Sequence, residues 1–256
     1  MRLSIHWLIS MVCIAVFFAC SSKVVIDNPN AEQRFHLGMA EYNDGNYLEA
    51  IQHFEVIRLQ FQASAIADSA KFYAGMSHFQ REEYLLGQYE FTQLIQNFPK
   101  SPLLPGSYFM YAQCLYKLSP RVDLDQSYTV KAIDALQTFV EVYATHPKAQ
   151  EAEAQLKELF EKLAQKEFDT GVLYVKMQNS TAALVYFNNV IDRYYNTSYA
   201  DDALVQKIRI LMRRKNYTEA DDVMQTFLRK YPDSPFRDEI EQQQKNLQKA
   251  SAPKVN

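Results

Sequence analysis

Cysteine, histidine and carboxylate side chains are the groups on which catalysis would rest, and their spacing decides what kind. Cys13, Cys20 and Cys114 form no CxxC pair, which argues against a metal knuckle or a dithiol centre. His36, His53, His78 and His146 stand apart in the chain, with no HxxxH or HExxH interval between them, so no zinc-binding helix is written here. There is no GxSxG, no phosphate-binding GxxxxGK[ST] loop and no GxGxxG. Aspartate and glutamate are plentiful but fall on helix surfaces, where a solvated face is their ordinary role. No catalytic set remains. No metal, cofactor or small-molecule substrate is expected, and the chain reads as a binding protein rather than an enzyme.

Two groups carry chemistry of other kinds. The first is Cys20. The opening MRLSIHWLISMVCIAVFFAC has one basic residue, Arg2, and runs apolar from Trp7 to Ala19. That is short of the roughly 20 residues needed to span a bilayer and fits a secretory leader. Ala19-Cys20-Ser21-Ser22 resembles a bacterial lipoprotein signal, with Phe17 and Phe18 departing from its usual Leu-then-small pattern. The resemblance implies a leader over 1–19, an acylated Cys20 and a tether over 20–30. Each buried methylene of such an anchor adds about 0.8 kcal/mol, so two or three chains hold where one is marginal.

The second group is Arg121, Asp123 and Asp125 in YKLSPRVDLDQSYT, residues 116–129. Two readings stay open. In one, the stretch is a long elbow between helices: Ser119-Pro120 ends the first, Asp123 and Gln126 form a capping box for the second, and Arg121 stands in solvent. In the other, the elbow projects and touches a partner, with Arg121 gripping a carboxylate.

The elements that position these groups are repeats. The 256 residues include 6 Gly, 9 Pro, 17 Tyr and 16 Phe, with 48% hydrophobic and 22% charged residues. That is ample core material. The net charge is -3 and no run of five basic residues occurs, so nucleic acid is not a partner. Leu37-Gly38 followed by Ala50-x-x-x-Phe54 matches the tetratricopeptide helix–turn–helix pattern. A small residue recurs as Ala50, Gly87, Ala132, Ala183 and Ala220, each eleven residues before an aromatic: Phe61, Phe98, Tyr143, Tyr194, Tyr231. Between repeats both columns advance by 37, 45, 51 and 37 residues. Interior columns at i+4 (Phe54, Phe91, Leu136, Phe187, Met224) and i+7 (Ile57, Leu94, Phe139, Val190, Phe227) define one helical face. The fold class is therefore all-α, a right-handed superhelical solenoid of about five tetratricopeptide (TPR) repeats, each burying its face only by stacking.

Residues 31–147 hold repeats 1–3 and residues 148–249 hold repeats 4–5 with a polar capping helix; 250–256 is a loose tail. Ser101-Pro102 and Ser234-Pro235 offer serine N-caps with proline as the first helical residue. Residues 149–178 lack proline and read as one long helix, or two nearly continuous ones, that stiffens the link between the halves. First helices line the concave face of such a superhelix. Met39, Tyr42, Phe72, Met76, Phe79, Phe109 and Tyr116 then form an aromatic and methionine stripe able to take apolar peptides.

The run Met110-Tyr111-Ala112-Gln113-Cys114-Leu115-Tyr116, then Ser119-Pro120, Leu124-Asp125-Gln126 and Thr129, resembles the third-repeat region of the outer-membrane assembly lipoproteins, the D subunit of the β-barrel assembly machinery (BamD). The lipoprotein signal, the repeat number and the length extend that resemblance to nearly the whole chain. It implies a scaffold anchored through Cys20 at the periplasmic face of the outer membrane. Its first repeats would bind a targeting segment of unfolded barrel proteins, and its last repeats would dock the barrel-shaped insertase. The alternative is a periplasmic TPR adaptor coordinating cell-envelope and division complexes.

Overall fold

The computed structural model describes residues 29–251, which form α-helices and no strand. In order they are α1 (Ala31–Asn43), α2 (Tyr47–Gln60), α3 (Ala67–Gln80), α4 (Tyr84–Asn97), α5 (Leu104–Leu118), α6 (Ser127–Val142), α7 (Ala149–Lys176), α8 (Ser180–Arg193), α9 (Tyr199–Arg213), α10 (Tyr217–Lys230) and α11 (Arg237–Ser251). Each helix packs on its neighbours in sequence, which makes five helical hairpins in series with α11 closing the stack: a TPR solenoid. Cys20, the leader and most of the tether lie outside the described residues. α11 continues to Ser251, two residues into the expected tail, and 252–256 also lie outside.

The hairpins close on a size-matched pair. Gly38, Gly75 and Gly171 each stand sixteen residues before a phenylalanine, Phe54, Phe91 and Phe187. A Cβ on these glycines would lie 2.6, 2.9 and 2.7 Å from the facing ring. The ring therefore lies on bare backbone, and both helices approach closely. The third hairpin uses Ala112 with the smaller Leu136, and the fifth uses Ile208 with the flexible Met224; all are buried. The i+4 and i+7 columns are buried throughout, as their spacing predicts.

Four of the five hairpin turns share one geometry. Gly45, Glu82, Gln178 and Lys215 have φ of 81°, 60°, 59° and 60°. Their N–H groups, and those of the next residues, donate back to carbonyls of the last helical turn. This is a Schellman stop, and only the first repeat gives it the glycine it favours. Between hairpins, Phe61, Phe98, Tyr143, Tyr194 and Tyr231 are the C-caps of the second helices. Each of their carbonyls accepts from the N–H three residues on. Here the serine N-caps need correction. α5 and α11 begin three residues after Ser101 and Ser234. Each hydroxyl instead accepts from the N–H two residues on (Leu103, 3.1 Å; Phe236, 3.3 Å) and donates to Asp68 (2.5 Å) or Asp201 (2.8 Å). The linker's own turn uses the serine, so helix starts later.

α7 departs from the pattern. From the C-cap aromatic to the residue that meets the second helix is fourteen residues for Phe61–Gly75, Phe98–Ala112 and Tyr194–Ile208, but twenty-eight for Tyr143–Gly171. α7 is thus two first helices end to end. Ala152 and Leu159 pack into the core of the third hairpin with Ala132, Leu136 and Phe139. Ala164 and Phe168 join Ala183, Phe187 and Val190 of the fourth. At 1.5 Å per residue the extra fourteen residues offset the last two hairpins by about 21 Å along α7.

Candidate functional site

The first-helix stripe repeats at an interval of 37 residues: Phe35, Phe72 and Phe109; Met39, Met76 and Gln113; Tyr42, Phe79 and Tyr116. Each row has a packed side. Phe35 and Phe72 lie 5.8 and 5.7 Å from Phe54 and Phe91, the rings nineteen residues on. Phe168 repeats the contact with Phe187 at 5.6 Å. Phe72 also reaches the next hairpin, where a Cβ on Gly106 would meet its ring at 3.3 Å. Tyr42 and Phe79 sit edge-on to Tyr47 and Tyr84 at 5.5 and 5.3 Å, the tyrosines that open α2 and α4. Met39, Tyr42, Phe72, Met76 and Phe79 are each half-buried. They keep one side in the core and present the other, as a groove wall would. Burial, with Tyr47 and Tyr73 beside it, pushes the Tyr42 phenol up.

The third row behaves differently. Phe109 is 6% exposed, 5.2 Å from Phe139 and roofed by Lys148, whose Nζ lies 5.7 Å from the ring centre. It is a core residue and offers no groove surface, because the linker into α7 folds across it. Gln113 exchanges two hydrogen bonds with Gln155 of α7, at 2.7 and 3.0 Å. Tyr116 Oη donates to Glu158 at 2.6 Å, and burial followed by that carboxylate pushes its pKa up to about 12. α7 therefore closes the stripe at the third hairpin, and the open portion lies on α1 and α3.

The elbow is built from inside. The Gln126 side chain is buried and Nε2 donates to the carbonyls of Arg121 (2.8 Å) and Leu124 (3.0 Å). Its Oε1 accepts from Thr129 Oγ1 at 2.7 Å, and Thr129 meets Ser119 Oγ at 2.6 Å. From α7, Lys162 Nζ donates to Ser119 Oγ (2.9 Å) and Lys166 Nζ to the carbonyls of Leu124 (2.6 Å) and Val122 (3.2 Å). The capping box expected of Asp123 and Gln126 is absent. Asp123 pairs with Arg121 at 2.9 Å, and Asp125 Oδ1 accepts the Ser127 N–H at 3.0 Å. Ser127 holds the Asp125 carboxyl below the usual carboxylate range. Gln126 turns inward to the loop carbonyls, adding to the single bond that the loop's own Leu124 N–H makes to the Arg121 carbonyl at 3.1 Å. The outer surface shows Arg121, Asp123, Asp125 and Leu124, all exposed. Of the residues that fix it, Gln126 is marked in the sequence by its place three residues after Asp123, though for a cap it does not form, and Lys162 and Lys166 carry no mark beyond their four-residue spacing.

Among the described residues no three His, Cys, Asp or Glu side chains come together as a metal site. No described helix is long and apolar enough to cross a membrane. Cys114 is buried and its thiol is pushed up to about 12 by that burial, the opposite of a reactive thiolate.

Residues 27–223 match the family model YfiO, described as outer membrane lipoprotein. The outer membrane protein assembly factor BamD of Caulobacter vibrioides is 25% identical over 185 residues, 72% of this chain and 61% of that protein. Its counterpart in Rickettsia prowazekii is 24% identical over 202 residues, 76% of this chain and 80% of that protein. The match thus spans about three-fifths of the length of the Caulobacter relative. Among solved structures, a TPR repeats protein from Bacteroides fragilis aligns with a TM-score of 0.44 at 15% identity, covering 86% of this chain and 99% of that one. A complex of the TPR2AB domain of yeast Sti1 aligns with a TM-score of 0.43 at 15% identity, covering 86% and 83%.

Proposed function

The chain belongs to the YfiO outer membrane lipoprotein family, and from that premise we propose that it is a lipid-anchored scaffold subunit of the outer-membrane β-barrel assembly machinery. Cys20 carries the acyl chains and holds the solenoid at the periplasmic face. The α1–α3 stripe receives the terminal targeting segment of an unfolded barrel protein, and the later hairpins dock the insertase. The elbow of Arg121, Asp123 and Asp125 is a contact surface for a protein partner.

The observation that supports the groove best is the repeated half-burial of Met39, Tyr42, Phe72, Met76 and Phe79. Strands of membrane barrels alternate apolar and polar residues and carry aromatic girdles. A methionine and aromatic wall adapts to many such segments without reading one sequence. Replacing Tyr42 and Phe79 together by serine tests it against a synthetic C-terminal barrel-strand peptide. Affinity should fall at least about tenfold, the loss of about 1.4 kcal/mol or more, with helix content retained. Unaltered affinity in a folded double variant refutes the groove. Anchoring is tested separately: Cys20→Ser should release the protein from the membrane fraction.

A further inference from the structure

First helices bury a second face besides the one that meets their own partner. Two residues beyond the Gly/Ala/Ile position stand Ser77, Cys114 and Ile210, each 0% exposed. A Cβ on Gly87 of α4 would lie 3.2 Å from Cys114 Sγ, and Ile210 shares a core cluster with Ala183 of α8. On this face sits the second helix of the preceding hairpin.

α7 carries that seat twice. Leu159, 0% exposed, takes α6 in the cluster that contains Ala132. Fourteen residues on, Leu173 holds the same place in the fourth hairpin and is 54% exposed; Met177, one turn further, is 63% exposed. The elbow reaches this face only at Lys166. The first described hairpin fills the places equivalent to Lys166, Leu173 and Met177 with Gln33, Ala40 and Asp44, all exposed, a more wettable surface than the leucine and methionine of the fourth. In the other hairpins the last two of these places hold Ser77 and Arg81, Cys114 and Leu118, or Ile210 and Arg214; Leu173 and Met177 are both large, apolar and exposed.

Basic residues gather in the turns at this end of the stack, while Asp169, one turn before Leu173 on α7, is an exposed carboxylate. The turns at 176–179 and 213–216 contain Lys176, Arg213, Arg214 and Lys215, all exposed, and no carboxylate. Arg214 Nη2 donates to Thr181 Oγ1 at 3.3 Å, which ties the basic turn of the fifth hairpin to the start of α8. The first two turns, by contrast, hold Asp44 and the Arg81-Glu82-Glu83 run.

We propose that the Leu173–Met177 face of α7 seats an amphipathic helix of a partner protein. Its apolar side lies on these two residues and its carboxylates face Lys176, Arg213, Arg214 and Lys215. A helix is the occupant because every equivalent seat after the first hairpin holds one, and its flank is acidic by complementarity. The inference stands on repeat register and is independent of the α1–α3 groove. The test places a photo-crosslinking amino acid at Leu173 in the full chain in its native membrane, with Ala40 as control, and sequences the adduct. The expected result is a protein adduct at 173 and not at 40, on a segment with apolar residues at helical spacing and Asp or Glu along one flank. Its yield should drop about fivefold or more on Arg213→Glu/Lys215→Glu, in protein whose thermal melt is unchanged. No adduct, an adduct to lipid or to a second copy, a segment without that pattern, or a yield indifferent to charge reversal each overturns the proposal. Binding of the barrel-strand peptide, measured on the same samples, reports separately on the groove.

Discussion

Replacing Gly171 by alanine sets two effects of opposite sign against each other. Alanine in a helix interior gains about 1 kcal/mol over glycine. Against that, the added Cβ would stand 2.7 Å from Phe187 Cε1 and 2.9 Å from Cδ1 and Cζ. The ring is fully buried and flanked by Phe168 at 5.6 Å, so it cannot swing clear. Overpacking of a dense core costs about 1–3 kcal/mol, and three ring atoms inside 3.0 Å place this case at the upper end. The net expectation is a loss of about 1–2 kcal/mol, a fall in Tm of roughly 2–8 °C for a chain of this size.

The third hairpin supplies the rescue. Ala112 faces Leu136 there, so Phe187→Leu should make room for an alanine at 171. On its own Phe187→Leu leaves a void costing about 1–2 kcal/mol. Together the substitutions should cost about 1–2 kcal/mol less than their sum, a coupling typical of residues in contact. Urea unfolding followed by far-ultraviolet circular dichroism measures all four corners of the cycle. A Gly171→Ala variant more stable than the parent, or a strictly additive cycle, would refute the idea that ring size dictates the glycine.

The left-handed turn residues give a second test: Lys215→Gly should stabilise, since a side chain there costs about 1–2 kcal/mol against a smaller entropic loss, whereas Gly45→Ala should destabilise by about 1 kcal/mol, both read as Tm shifts. Gln126→Leu should remove its hydrogen bonds to the Arg121 and Leu124 carbonyls and from Thr129 Oγ1, at about 0.5–1.5 kcal/mol each, and amide exchange should quicken across 119–126 while α1–α4 stay protected. For Tyr116, the folded pKa of about 12 lies above the ordinary phenol value of 10.0; the neutral phenol's stabilising share is complete below about pH 10 and is lost as pH climbs through about 12. Tyr116→Phe should therefore delete the latest step in a phenolate absorbance titration, and survival of that step would assign it elsewhere.

The core was legible because packing is periodic. A residue that must meet its neighbour once in every repeat leaves a column, and Phe54, Phe91, Phe187 or Ile57, Leu94, Phe227 can be read off a single chain. The Gly38, Gly75 and Gly171 partners were equally readable at sixteen residues before each ring, yet glycine has no side chain to draw the eye. The candidate site was less legible because its contacts come from far along the chain. Phe109 has the same spacing as Phe35 and Phe72, but the linker into α7 and Lys148 cover it. Asp123 has the sequence signature of a cap, but Arg121 two residues away takes its carboxylate. Lys162 and Lys166 act across more than forty residues of sequence, a relation that local propensity does not encode.

The uneven intervals between repeats then have one geometric cause. Two of the four are 37 residues; the others, 45 and 51, exceed that by eight and by fourteen. The eight are the elbow, a loop, which places no demand on phase and costs little entropy per added residue. The fourteen lie inside a continuous helix, where each residue turns the chain by about 100°, so fourteen come to about 40° short of four full turns. An insertion of twelve would have rotated the later hairpins by about a third of a turn relative to α6. Because the length is nearly whole turns, Leu159 and Leu173 point almost the same way, one beneath α6 and the other in the open. The elbow stands where α7 passes the top of the third hairpin, and the lysines of α7 hold it there. Loop and helix are two halves of one step. Repeats 4–5 are thereby set off along α7 with Leu173 and Met177 uncovered, and that displacement keeps apart the three surfaces proposed for binding: groove, elbow and seat.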